Sequence, residues 1–180
     1  MKRLNLGCGA DRREGYVNLD ANPAVGPDIA HDLNRYPYPF ADGVFDEILC
    51  DNVLEHLDGI VGPLEEIWRI CADGARVKIV VPSFPAPAAA VDPTHRCSYT
   101  FGTFAYFTDR SPVPHTTHAR YRILRRRLVF SYSLPPFSWL NGLANRLVNC
   151  SERVQGAWFY NLSHLYPAQF LEVELQAIKP

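Results

Sequence analysis

Two glycines one residue apart, Gly7 and Gly9, close a short apolar run at Leu4-Asn5-Leu6, and an aspartate, Asp20, closes the next run at Val17-Asn18-Leu19. Without Cβ atoms, both glycines let the backbone approach a ligand closely. A carboxylate at the end of a neighbouring strand can accept hydrogen bonds from both hydroxyls of an adenosine ribose. Ending an apolar strand on an acid is costly unless a ligand or donors meet it, so Asp20 is assigned to binding. Spacing narrows the choice. The dinucleotide fingerprint has a third glycine three residues on and its acid about 20 residues further. Here Gly7-Cys8-Gly9 runs into Ala10-Asp11-Arg12, and Asp20 follows Gly7 by 13 residues. That leaves no space for a full helix to aim its N-terminus at a pyrophosphate, so a nicotinamide cofactor fits poorly.

The groups able to move a proton are Asp92 and His95. They follow the fifth predicted strand, and the carboxyl ends of strands in a doubly wound sheet border the ligand crevice. Histidine titrates near neutrality and can serve as a general base; a solvated loop histidine is the alternative. Glu55 and His56 are read as a helix-end ion pair rather than as catalytic groups. His115-x-x-His118 with Cys97 and His95 lacks tightly spaced ligand pairs, so no metal site is assigned.

These residues need a scaffold. Strands are predicted at Arg3 to Leu6, Tyr16 to Leu19, Asp28 to Ala30, Phe45 to Cys50 and Arg76 to Val81, as apolar runs fit for a parallel sheet covered on both faces. Val61, Leu64, Ile67, Trp68 and Cys71 recur at helical spacing, and Asp73-Gly74 supplies a turn. After Pro82 the chain is dense in proline and aromatics, which predicts an irregular cover with a short helix near Thr100 to Phe107. Tyr121 to Phe130 is strand-prone, with Arg125, Arg126 and Arg127 as a solvated edge. Phe137, Leu140, Leu143, Ala144, Leu147 and Val148 form an apolar helical stripe that packs on the core or, alternatively, meets a second copy or a membrane surface. Leu171, Val173, Leu175 and Ala177 alternate with Glu172, Glu174 and Gln176, as in a half-buried strand at a sheet edge.

The 180 residues suit one α/β domain: a cofactor-binding half over 1–83, an acceptor-side cover over 84–169 and a final edge strand over 170–180. Eighteen Lys and Arg against 19 Asp and Glu give a net charge of -1, which sets up no field for nucleic acid. No run approaches the roughly 18 apolar residues of a membrane helix, no signal peptide is evident, and five scattered cysteines read as reduced thiols; a cytoplasmic location is expected.

Taken together, Leu4-Asn5-Leu6-Gly7-Cys8-Gly9, Gly15-Tyr16-Val17-Asn18-Leu19-Asp20, His31-Asp32-Leu33, Phe45-Asp46-Glu47-Ile48 and Val53-Leu54-Glu55-His56-Leu57 resemble the class I S-adenosylmethionine-dependent methyltransferases, and among them the short bacterial type 11-like proteins. The resemblance spans residues 3 to 83, with Asp92-Pro93-Thr94-His95-Arg96 as a further shared element. It implies a Rossmann-like, doubly wound, mostly parallel seven-strand-type sheet with a variable C-terminal cover. By matching position it places Leu6, Gly7, Cys8 and Gly9 at the methionine part of S-adenosylmethionine, Asp20 at the ribose, Asp32 and Leu33 at the adenine, and Asn52 at the methyl-transfer end. Cys71-Ala72-Asp73-Gly74-Ala75 stands where the family has Lys-Pro-Gly-Gly. Asp32 as a simple turn cap remains open beside its binding role.

The function these readings predict is methyl transfer to a small-molecule acceptor, with His95 and Asp92 as catalytic candidates. A non-catalytic S-adenosylmethionine-binding regulatory domain and, behind it, a nicotinamide-dependent oxidoreductase are the rivals. A homodimer is a further expectation, and residues from Phe84 to Tyr121 are expected to form a mobile cover closed by Tyr99, Phe101, Phe104, Tyr106 and Phe107.

Overall fold

The computed structural model of the chain describes residues 1–113, 116–132 and 137–180. Seven strands form one sheet: β1 Arg3–Leu6, β2 Val17–Asp20, β3 Ile29–Ala30, β4 Phe45–Asp51, β5 Cys71–Pro82, β6 Tyr121–Val129 and β7 Phe170–Ala177. Their order is β3-β2-β1-β4-β5-β7-β6, parallel through β5, with β7 antiparallel to both its neighbours. Helix α1, Val61–Ile70, crosses from β4 to β5; α2, Phe137–Val148, and α3, Glu152–Leu162, lie between β6 and β7. Cys71 belongs to β5 rather than to α1, and Asp73-Gly74 falls where five residues of β5 pass two of β4.

Register explains the layering. Leu4 pairs with Val17 and Ile48, Ile48 with Val77, Val77 with Leu175 and Leu175 with Ile123, which puts the apolar set on one face. Leu64, Ile67 and Ile70 of α1, Ala144 and Val148 of α2, and Trp158 and Phe159 of α3 pack into that same core. The opposite face carries Arg3, Glu47 and Arg76 in one row and Asn5, Leu49, Lys78 and Glu174 in the next. Lys78 pairs with Glu47 at 2.8 Å and Arg76 with Glu174 at 3.0 Å. Cover expected on both faces is therefore helical on one only. The ten residues between β1 and β2, and the 3-10 turn Pro23–Val25 after β2, are too short for crossover helices.

Two other expectations change. The last strand is not an edge: β7 sits between β5 and β6. Its alternation reflects one core face and one polar face, a pattern that an inner strand of a half-covered sheet shares with an edge. The edge is β6, and it is closed by side chains. Asn141, Asn145 and Asn149 each accept from and donate to the backbone N–H and C=O of Tyr132, Phe130 and Leu128 respectively, at 2.7–3.2 Å. Four residues of helix rise about 6 Å and two residues of strand about 6.6 Å, so the amides keep step with the strand. This blunts an edge that would otherwise template pairing with another chain. Of the arginine run, Arg126 is not solvated: its guanidinium lies 4.0 Å over the Phe101 ring and its side chain is 11% exposed.

Asn145→Ala removes both partners of Phe130 and is expected to destabilise the fold by about 1–3 kcal/mol, read by urea unfolding. Faster hydrogen exchange at the Phe130 amide should accompany it; unchanged exchange there would show that the ladder carries no stability.

Candidate functional site

The carboxyl ends of β1, β2 and β4 open onto a cleft of about 410 Å³ lined by Gly7, Gly9, Asp20, Ala21, Asp32, Leu33, Asn34, Asn52, Val53, His56 and Leu57. Six of the predicted cofactor residues meet there. Leu6 and Cys8 do not line it; both side chains are buried in the core, so only their backbone can face a ligand. Burial also raises the Cys8 thiol above its ordinary pKa.

Each wall residue has a local reason for its place. Gly7 has φ +63°, and a Cβ there would lie 2.5 Å from Val53 Cγ2. Gly9 also has a positive φ but meets nothing within 4 Å, so the space beside it is open. Asp20 is held by two backbone donors, Gly9 N–H to Oδ2 and Asn22 N–H to Oδ1, both at 2.8 Å. Each oxygen keeps a further lone pair for a donor from a ligand. Asn52 takes the left-handed conformation, φ 53°, that turns the chain sharply out of β4. Asp32 does cap a turn, its Oδ1 accepting from Asn34 N–H at 2.9 Å, while also lining the cleft.

Beyond Asn52 the 3-10 turn Leu54–His56 is strapped to the segment after β5. Arg96 and Cys97 both donate N–H to Glu55 O, at 2.7 and 3.1 Å, and Tyr99 OH donates to Leu54 O at 2.8 Å. Arg96 pairs with Asp58. The strapping brings His95 against His56 edge to face, ring centroids 4.9 Å apart. His56, not His95, contributes to the cleft wall, and His95 stands behind it with its side chain 10% exposed. Asp92 Oδ1 accepts from Thr94 N–H at 2.8 Å and from Thr94 Oγ1–H at 2.7 Å, which holds its carboxyl below the usual range. The Glu55–His56 ion pair expected from sequence does not form: neither Glu55 oxygen has a hydrogen-bond partner. Burial raises the Glu55 pKa. His115 lies outside the described residues, and His118 pairs with Glu65 at 3.1 Å, away from Cys97 and His95.

The described part of the cover packs on the core. Tyr99, Phe101, Phe104 and Phe107 are buried in the core and leave only Tyr106 of the five exposed. Ser83 bridges to Tyr99, and Thr117 Oγ1 donates to Glu65 at 2.8 Å. The closing surface expected of a lid is thus already packed away.

No protein-family model matches the sequence, nor does any curated protein. Solved structures match the fold. A S-adenosylmethionine-dependent methyltransferase from Archaeoglobus fulgidus aligns with TM-score 0.59 at 15% identity, over 97% of this chain and 86% of that one. One from Mesorhizobium loti aligns with TM-score 0.56 at 14%, over 97% and 90%. The [4+2]-cyclase SpnF aligns with TM-score 0.56 at 13%, over 99% and 75%. The chain has the Rossmann-like fold of the S-adenosylmethionine-dependent methyltransferases, with a mixed sheet in which β7 runs antiparallel. Among the described residues no helix is long and apolar enough to cross a membrane.

Proposed function

We propose that the chain binds S-adenosylmethionine in the cleft at Asp20 and transfers its methyl group to a small-molecule acceptor. The observation that carries this reading is the convergence of Gly7, Gly9, Asp20, Asp32, Leu33 and Asn52 on one cleft of about 410 Å³. That cleft leaves open space at Gly9 and spare lone pairs on Asp20. Asp20 takes the ribose hydroxyls, Asp32 and Leu33 the adenine, and Gly7, Gly9 and Asn52 the methionine end. When bound, the sulfonium supplies an electrophilic methyl group. The protein's part is chiefly positioning, which in well-oriented systems contributes about 7–11 kcal/mol. His95, standing behind His56 at the edge of the cleft, supports activation of the acceptor through that neighbour, and Asp92 orients the turn that carries it. The five cysteines are free, as suits the cytoplasm, which we propose as its location.

A chain of this kind gains heat stability with S-adenosylmethionine and with its demethylated product, and none with nicotinamide dinucleotides. Stabilisation by a dinucleotide alone would overturn the assignment. A second reading, binding without methyl turnover, has one observation in its favour: a cyclase shares the fold. Methyl transfer to any acceptor separates the two, and replacing His95 by Ala then tests that residue. On the enzyme reading the methylation rate falls by roughly 10²–10⁴ where the acceptor must lose a proton, while cofactor affinity stays within a few-fold. Equal rates for variant and wild type across neutral pH would remove His95 from the chemistry.

A further inference from the structure

Glu55 is 1% exposed and neither of its carboxylate oxygens has a hydrogen-bond partner. It takes part in none of the ion pairs among the described residues. A buried carboxylate left so is strongly unfavourable unless it takes up a proton or a cation joins it. The geometry points to a divalent metal site, suited to zinc, formed by Glu55, His56 and His95 at the edge of the cofactor cleft.

One ligand atom from each of the three residues lies within 4.8 Å of the others. Ligands about 2.1 Å from a tetrahedral zinc stand roughly 3.4 Å apart, a difference small side-chain rotations can close. The hydrogen-bond network prepares both imidazoles. The Thr94 hydroxyl donates its hydrogen bond to Asp92 Oδ1, so its oxygen accepts from His56 Nδ1–H at 2.9 Å. His95 Nδ1–H donates to Ala89 O at 3.2 Å. In both rings the lone pair is thereby left on Nε2, the arrangement in which outer partners fix a metal-binding tautomer. The two N–H bonds from Arg96 and Cys97 to Glu55 O hold the loop bearing His95 against the turn bearing the other two ligands.

Two histidines and one glutamate with a further position open form the ligand set of catalytic rather than structural zinc. His56 is shared between this cluster and the cofactor cleft, which sets the ion beside the acceptor end. Resting on the methyl-transfer reading, its role is to favour a hydroxyl acceptor. The acceptor's proton goes to solvent, an O–CH₃ bond forms, the S–CH₃ bond breaks, and the sulfur keeps that electron pair as a neutral thioether.

The test is calorimetric titration of the chelator-treated full chain with Zn²⁺, with Co²⁺ substitution as a spectroscopic check. One ion per chain is expected, and a visible Co²⁺ spectrum indicative of four- or five-fold coordination. Glu55→Gln and His95→Asn, each confirmed folded by circular dichroism, should abolish that binding; Thr94→Val, which frees the His56 tautomer, should weaken it about 10–100-fold. Glu55→Gln should also erase the rise in melting temperature caused by Zn²⁺. No binding by the wild-type chain, or equal binding in Glu55→Gln and His95→Asn, overturns the site. Titration of the same samples with the demethylated cofactor is read separately, so failure of the metal site and failure of the methyltransferase reading are told apart.

Discussion

Phe104→Ala lowers the stability of the ligand-free protein by about 3–5 kcal/mol, the cost of emptying a fully buried aromatic site. Phe104 is completely buried and stacks on Tyr99 with ring centroids 5.9 Å apart. Tyr99 is in turn tied to Leu54, at the start of the turn that carries Glu55 and His56. A detachable lid would lose little in the absence of ligand, because its aromatics would pack only on closure. A fixed wall loses the full amount. Urea unfolding measures the difference, and hydrogen exchange over residues 99–107 should be slow before any ligand is added. A loss below about 1 kcal/mol, or fast exchange in the free protein, would restore the lid.

Gly7→Ala comes next in size. The added Cβ would lie 2.5 Å from Val53 Cγ2 and 2.7 Å from Cγ1, and Val53 is itself buried at the exit of β4. Overpacking of this kind costs about 1–3 kcal/mol. The left-handed backbone adds roughly 1–2 kcal/mol for a residue with a Cβ. Gly9→Ala is the informative contrast: it carries the backbone cost alone, with nothing within 4 Å, and its methyl projects into free space beside the cleft. Gly7→Ala should therefore lower the melting temperature markedly. Gly9→Ala should lose only the backbone cost, about 1–2 kcal/mol, while losing cofactor affinity. Similar stability in both variants would mean that the Val53 contact does not constrain the loop.

The parts of the site legible in the sequence were those whose chemistry is local. Glycines at a strand end and an acid at the end of the next strand restrict backbone and charge within a few residues, and one cleft joins them. Asp32 was readable only as a choice between cap and ligand, and it has the position for both. What the sequence hid depends on long-range register. The alternation of β7 looks the same in an inner strand as at an edge when one face of the sheet is polar. Asn141, Asn145 and Asn149 look like the polar side of a helix until β6 is laid alongside them. Glu55 beside His56 suggests an ion pair from sequence, because adjacent residues at a helix end commonly share solvent. The 3-10 turn instead buries the carboxylate and brings His95, forty residues on, to the same point, so the cluster is one that ligand spacing along the chain could not reveal.

We expect this cleft to hold the adenosyl cofactor through Asp20. Calorimetric titration of wild type and of Asp20→Ala with the demethylated cofactor tests it most directly. Loss of charge-assisted hydrogen bonds to the ribose should weaken binding by about 1.5–3 kcal/mol, more than tenfold. The variant should remain folded, because Gly9 N–H and Asn22 N–H, which now donate to the carboxylate, border open space that water can fill. Saturable binding by wild type, weakened to that degree in a folded Asp20→Ala, is expected; no binding by wild type, or equal affinity in the two proteins, would remove Asp20 and this cleft from cofactor binding.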